Sequence, residues 1–425
     1  MEPTNQDLAS ALDVRAARLH MLENYYRATQ PLAFLSPEAA KALGNRFGTL
    51  GVNIPRLAVL SIAERLRVNG FDGAPGMWAM WLRNDLDQRA GIAHREALAL
   101  GESAITVWAD GRGRAQVSVE SAHQVAVYRD AGTGRTLAAI KRWVDLAPDG
   151  TEKQTRYVVY RPDRIEHLVG DGAAITGAKT VAVVDNPLLA VPVVALTNTD
   201  RVLDRYGVSE IDDLIPLVDA LNKTITDMLV ASEYVARPRR WATGLELDEQ
   251  PVLDDDGNPV TVGGEVVTEA VNPIAETDRM MVNEAAEGKF GQLPGADLAP
   301  YEQAVAVILQ QIMAVSALPA HYVGVTTANP TSADATRAAE AALTARAEAK
   351  QGAFGRAWEQ VVRLAMAVEQ GGEVDDYSPR IRWADPATRS VAQEADATVK
   401  LFSAGIIDIS EARERLGLDN QEATA

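Results

Sequence analysis

Residues 331–370 run without a proline and close on Gly371-Gly372. Thr331 and Asp334 stand at capping-box spacing, although glutamate is the usual second member. This predicts one helix from Ser332 to about Gln370, stopped by the glycine pair. At the standard rise it is on the order of 55 Å long, whereas globular helices usually have roughly 8–20 residues. Its first half is rich in alanine and can lie close against other helices. Its second half carries Phe354, Trp358, Val361 and Ala365 as an apolar stripe. A chain with such a helix needs a partner surface along most of that length. The helix is fed by the small-residue, nearly uncharged stretch HYVGVTTANP (His321 to Pro330).

The rest of the chain reads as α+β. Helices are expected from Asp7 to Arg27, from Ile54 to about Val68 with NGF (69–71) as its stop, and from Met77 to Leu100. From Ala104 the period changes to two. AITVWAD, AQVSVES, HQVAVYRD, LAAIKRWVD, RYVVYRPD and TVAVVD are short β-rich runs between Gly/Asp turns, which predicts a mostly antiparallel sheet region ending near Pro192. A long helix is expected from the box-like SEID (Ser209 to Asp212) to about Ala236, with Pro216 bending it or marking its true start. An acidic loop-and-strand insert spans about 237–298. A helix over 299–317 follows, with Val305, Ile308, Ile312 and Val315 on one face. After Gly372 come one strand candidate, RIRWAD, and two short helices around 391–403 and 410–416.

Composition sets the chemistry that can be present. The 425 residues are 47% hydrophobic, enough for a sizeable core, and contain no cysteine. Disulfides, thiolate metal sites and cysteine nucleophiles are therefore excluded. No nucleophile elbow, phosphate loop or H-E-x-x-H motif occurs, so the sequence points away from an enzyme and implies no cofactor and no metal. GDGAAITG (170–177) has the wrong glycine spacing for a dinucleotide fingerprint and reads as a turn, and DDDGNP (254–259) reads as a hairpin tip. The five histidines, His20, His94, His123, His167 and His321, show no metal-ligand spacing and read as surface or capped residues. The first twenty residues lack the pattern of a signal peptide, and the most apolar window, 304–320, is too short to span a bilayer. The net charge of −18 argues against tight nucleic-acid binding but not against a surface that DNA slides past. RPRRW is the one basic cluster. Its Arg237, Arg239 and Arg240 suit either a helix C-terminus or a contact with DNA or an acidic neighbour.

Several long blocks resemble the portal proteins of tailed bacteriophages, of the siphophage type found in phages of actinobacteria. They are LENYYRATQPLAFL (22–35), NIPRLAVLSIAERLRVNGF (53–71), NPLLAVPVVALTNTD (186–200), GVSEIDDLIPLVDALNKTITDMLVASEYVARPRRWATG (207–244) and LPAHYVGVTTANPTSADATRAAEAAL (318–343). The resemblance implies a mainly helical portal fold: a wing with a β-sheet region over 1–208, a two-helix stem (209–236 and 299–317), a small clip insert (237–298), a tunnel loop (318–331), a long helix (332–370) and a C-terminal wing with a short crown (371–425). It implies a ring, usually of about twelve subunits, at one capsid vertex of the virion. The ring, assembled in the host cytoplasm, would meet the terminase large subunit, the major capsid and scaffold proteins and a head–tail connector, with no membrane involved. Double-stranded DNA would pass through it without sequence specificity during packaging and ejection. His321, Tyr322, Val323, Thr326, Thr327, Ala328 and Asn329 would then form the loop facing DNA. No Lys or Arg occurs from Ala299 through Thr336, so this stretch offers phosphate few cationic handles. The alternative is a ring-forming head–tail adaptor that does not conduct DNA.

Overall fold

The computed structural model describes residues 2–32, 51–172, 174–204, 206–236, 240–243, 248–253, 258–271, 289–292, 297–325, 333–387 and 391–415. The chain is α+β, and it divides into two compact units, Met1–Lys223 with Ala306–Ala425, and Thr224–Val305.

The first unit is built around two antiparallel sheets. Strands β2 (Glu102–Ala109), β3 (Ala115–Ser121) and β9 (Val193–Thr197) form one, in the order β3-β2-β9. Strands β4 (Val125–Arg129), β5 (Thr136–Leu146), β6 (Glu152–Tyr160), β7 (Arg164–Gly170) and β8 (Lys179–Asp185) form a meander in sequence order. Helix α1 (Asn5–Arg27) starts with a capping box between Thr4 and Asp7, and it lays Leu8, Ala9 and Leu12 on Ala126, Ala138, Ile140, Tyr157 and Val159 of the meander. The opposite face of β4 and β5, through Val125, Val127 and Ala139, packs on Ala104, Val193 and Ala195 of the three-stranded sheet. Both faces of β4 are thus buried, which explains its continuous apolar run.

Sheet pairing continues past Pro192: β9, the segment VVALT, joins β2 with Val194 opposite Ile105. Four consecutive buried residues gave it no alternation to read.

Two expected helices are shorter than their periodicity suggests. Helix α2 ends at Ala63 (Ile54–Ala63), and residues Val68–Asp72 form strand β1, paired antiparallel with β16 (Arg380–Trp383). NGF is therefore part of a strand and not a helix stop. The Met77 to Leu100 segment is two helices, α3 (Met77–Arg83) and α4 (Leu86–Leu100), broken at Asp85, which has φ 54°. Aspartate is among the few side chains that tolerate this left-handed conformation. Gly91, inside α4, does not interrupt it. The SEID box caps a single turn at Asp212–Leu214: the Ser209 amide donates to Asp212 Oδ2 (3.0 Å), and Ser209 Oγ accepts from the Ile211 amide (3.0 Å). The helix proper, α5 (Ile215–Ala236), starts with Pro216 in its first turn, where a missing amide costs nothing.

The long helix α7 (Ala333–Gln370) forms as expected. Leu343, Ala347, Phe354, Trp358, Val361 and Ala365 along it are fully buried. Trp358 meets Trp81 edge-on at 4.8 Å between ring centroids. Its indole N–H donates to His94 Nε2 at 2.8 Å, and His94 stacks on Phe354. Gly355 lets β16 pack closely here, because a Cβ would come within 3.1 Å of the Ile381 side chain and 3.2 Å of that of Trp383.

His94 is thus a core residue and not a surface one. Burial pushes its pKa down from 6.5 to about 3. The unfolded chain therefore takes up a proton below pH 6.5 that the folded chain refuses, so stability falls as pH drops from 6.5 towards 3. At pH 4.5 this one group removes on the order of 3 kcal/mol. His94→Gln keeps an acceptor for Trp358 but does not titrate. Urea unfolding at pH 7 and pH 4.5 is expected to show a pH difference smaller by roughly that amount in the variant.

The second unit holds the remainder of α5, the start of α6 (Ala299–Ser316) and short antiparallel pairs: β10 (Arg240–Thr243) with β15 (Lys289–Gln292), β11 (Asp248–Pro251) with β14 (Thr268–Val271), and β12 (Thr261–Val262) with β13 (Glu265–Val266). Leu253 bridges Pro259, and the DDDG tip between them lies outside the described residues. The tail ends in α8 (Val391–Ser403) and α9 (Ile409–Arg415).

Candidate functional site

Helix α6 stops abruptly, and the stop aims the chain into the loop. Ser316 turns its hydroxyl back to the Ile312 carbonyl (2.6 Å), and Ala317 takes a left-handed φ of 57°. Arg346 of α7 donates to the Val315 carbonyl (3.0 Å), a cation placed at the helix C-terminus. Of the stripe expected on this helix, Ile312 is fully buried, whereas Val315 is 37% exposed. Leu318 and Pro319 are buried and anchor the next turn. Residues Ala320–Val323 then form one tight helical turn ending on Gly324, which has φ 77°.

Tyr322 and His321 sit on this turn with their rings edge-to-face, centroids 4.8 Å apart. Arg65, just past the end of α2, donates through Nη2 to the Tyr322 hydroxyl (3.2 Å) and to Glu340 Oε2 on α7 (3.0 Å). Its other terminal nitrogen donates to the Pro386 carbonyl (2.7 Å). His321 Nε2 lies 3.4 Å from the second Glu340 oxygen. The Arg65 and Glu340 side chains are only 9% and 8% exposed, so this is a buried ion pair. Gln351 extends the network by donating to the Ala384 carbonyl (3.0 Å). The start of the loop is therefore tied to α2, α7 and the segment after β16 at once.

Of the residues read from sequence as the loop, His321, Tyr322 and Val323 lie together on this turn, with His321 exposed and Tyr322 and Val323 half-buried. Thr326, Thr327, Ala328 and Asn329 lie outside the described residues, as do Arg237 and Arg239. Arg240 opens β10, opposite Gln292. The lack of Lys and Arg from Ala299 through Thr336 does not leave the loop base without a cation, because Arg65 arrives from far earlier in the chain. Its charge is matched by Glu340. The separation of 275 residues between the pair left no local signal.

The match to known proteins spans the chain. The family model described as "Phage portal protein, SPP1 Gp6-like" covers residues 12–424. A portal protein of Mycobacterium phage D29 is 31% identical over 433 residues, covering 97% of this chain and 84% of the relative. One of Mycobacterium phage L5 is 31% identical over 392 residues, covering 87% of this chain and 76% of the relative. Among solved structures, the neck of a native gene transfer agent particle aligns over 96% of this chain and 99% of that one, at 14% identity and a TM-score of 0.48. The virion of the same kind of particle gives 14% identity and a TM-score of 0.45, over 94% of this chain and 99% of that one. On the family match and the two mycobacteriophage relatives, the chain belongs to the SPP1 Gp6-like family of phage portal proteins.

Proposed function

We propose that the chain is the subunit of a portal ring at one vertex of a phage capsid, where it serves as the channel for DNA packaging and ejection. The observation that carries this reading is the family match across residues 12–424. Portal proteins are structural, so the energy for packaging comes from a separate motor, read as the terminase docked on the ring. Capsid, scaffold and head–tail connector proteins are the other partners, and a ring of about twelve copies is the expected assembly. Residues 1–208 and the tail serve as wing and short crown. The helices over 209–236 and 299–317 serve as the stem, with the strand pairs of 237–298 as the clip. The separate compactness of Thr224–Val305 supports a stem-and-clip module of this kind.

In this reading the turn at His321–Val323 is the fixed root of the tunnel loop, held by Arg65 and Glu340. Thr326, Thr327, Ala328 and Asn329 continue it and give DNA an uncharged surface. Neutral side chains avoid the counterion-release affinity that each added Lys or Arg would supply, so DNA slides instead of binding. Replacing Thr326 and Thr327 with arginine is expected to slow or stall packaging, read as DNA-filled heads per assembled particle, while ring formation is unchanged. Normal filling by the double-arginine variant would overturn the role assigned to this loop.

A further inference from the structure

Two features flanking β9 are left uncovered in the single subunit. The first follows β9. The backbone is clamped at Asn198 and Val208: the Val208 amide donates to the Asn198 carbonyl (2.8 Å), and Asn198 Nδ2 donates to the Val208 carbonyl (2.7 Å). Gly207, at φ 72°, presses against Gly101 so closely that a Cβ would fall 2.1 Å from the Gly101 carbonyl oxygen. From this base projects the turn Arg201 to Asp204, closed by the Arg201 amide donating to Asp204 Oδ2 (2.7 Å). Its two central side chains, Val202 and Leu203, are 101% and 88% exposed. Turn tips are ordinarily polar, so two branched apolar side chains on an anchored turn are surface left for something to cover.

The second feature precedes and includes the start of β9. It is a groove of about 510 Å³ whose walls mix apolar residues such as Leu189, Val191 and Val194 with polar ones such as Arg135, Thr136 and Gln360. Asn186 fixes the 187–190 wall by donating to the Arg161 and Ala190 carbonyls, both at 2.8 Å. Leu189 is kept at φ 48° with its side chain 74% exposed. A branched residue in that conformation is uncommon. Glu373 and Asp375 stand on the rim against the single basic rim residue, Arg135.

We infer that Val202 and Leu203 of one copy seat in the Leu189 groove of the next copy, a head-to-tail contact in which Arg201 meets the Glu373 and Asp375 rim. The groove takes in the first two residues of β9 and the turn follows its end, and the exposure of Val202 and Leu203 shows that the tip does not fill the groove within a subunit. A contact joining two different surfaces is heterologous, and it closes a ring when the rotation per copy divides the circle. Asp375 suits the arginine beside the apolar tip, whereas Glu373 and the tip's own Asp204 are each occupied by their own turns. This inference rests on the portal reading and names the contact that would build the ring.

The absence of native cysteine makes the test direct. Leu189→Cys and Leu203→Cys are placed together in one chain, assembled and oxidised. The expected result is a ladder of covalent multimers on a non-reducing gel, whereas each single variant stays monomeric. Mixing the two single variants is expected to give covalent dimers and nothing larger. Both positions are exposed, so folding is not at stake. Rings visible by electron microscopy without a ladder would overturn this contact and leave the portal reading standing. Absence of any ring for the unaltered chain, even after scaffold and capsid proteins are added, would overturn both.

Discussion

Trp358→Ala is expected to lower the unfolding free energy by about 3–5 kcal/mol, the range for deleting a large buried aromatic. Trp358 is fully buried. It packs edge-on against Trp81 and donates its indole N–H to His94. Alanine would leave a cavity between α3, α4 and α7 and would take away the hydrogen-bond donor of a buried imidazole. A domain is stable by only roughly 5–15 kcal/mol, so this change alone uses a large part of the margin. Guanidinium unfolding followed by far-ultraviolet circular dichroism measures it. Trp358→Phe is expected to cost much less, because the packing is largely retained while the N–H is lost. A cost below about 1 kcal/mol for alanine would mean that the long helix is not docked along this stripe.

The second large effect concerns the root of the loop. Arg65→Met leaves the Glu340 carboxylate buried without its guanidinium, and breaking a buried pair from one side costs about 3–5 kcal/mol. It also removes the donors to the Tyr322 hydroxyl and the Pro386 carbonyl. The change therefore has a local signature: amide exchange at Ala320–Val325 is expected to quicken by more than at α4. Adding Glu340→Leu to Arg65→Met is expected to recover part of the loss, because the buried carboxylate that lost its guanidinium is then gone. A double-mutant cycle separates this coupling from the packing terms. Additive costs for the two single changes would show that the pair is not the clamp described here.

How much of this was readable beforehand depended on how local each signal was. The stripe of Phe354, Trp358, Val361 and Ala365 repeats at helical spacing, and all four are buried. The resemblance was likewise spread over long blocks, and the family match covers the same span. Partners far apart in the chain were not readable. His94 read as a surface or capped residue, and its place in the core was hidden because Trp358 lies 264 positions away. The helical reading ran to about Val68 with residues 69–71 as its stop, and only pairing with β16, some three hundred residues later, makes Val68–Asp72 a strand. The break at Asp85 did have a signal, since the Asn-Asp pair at 84–85 tolerates a left-handed turn, but the apolar period ran across it. Within the loop, His321 and Tyr322 were legible as the start of an uncharged stretch. The Arg65 anchor was not, because no spacing rule links residues 65, 322 and 340.

The central claim is that copies of this chain close into a ring around an open axis. Native mass spectrometry of the purified chain, paired with negative-stain images, tests it most directly. The account predicts a closed oligomer with an axial hole, near twelve subunits. A compact monomer or dimer at every concentration, persisting after scaffold and capsid proteins are added, would contradict it.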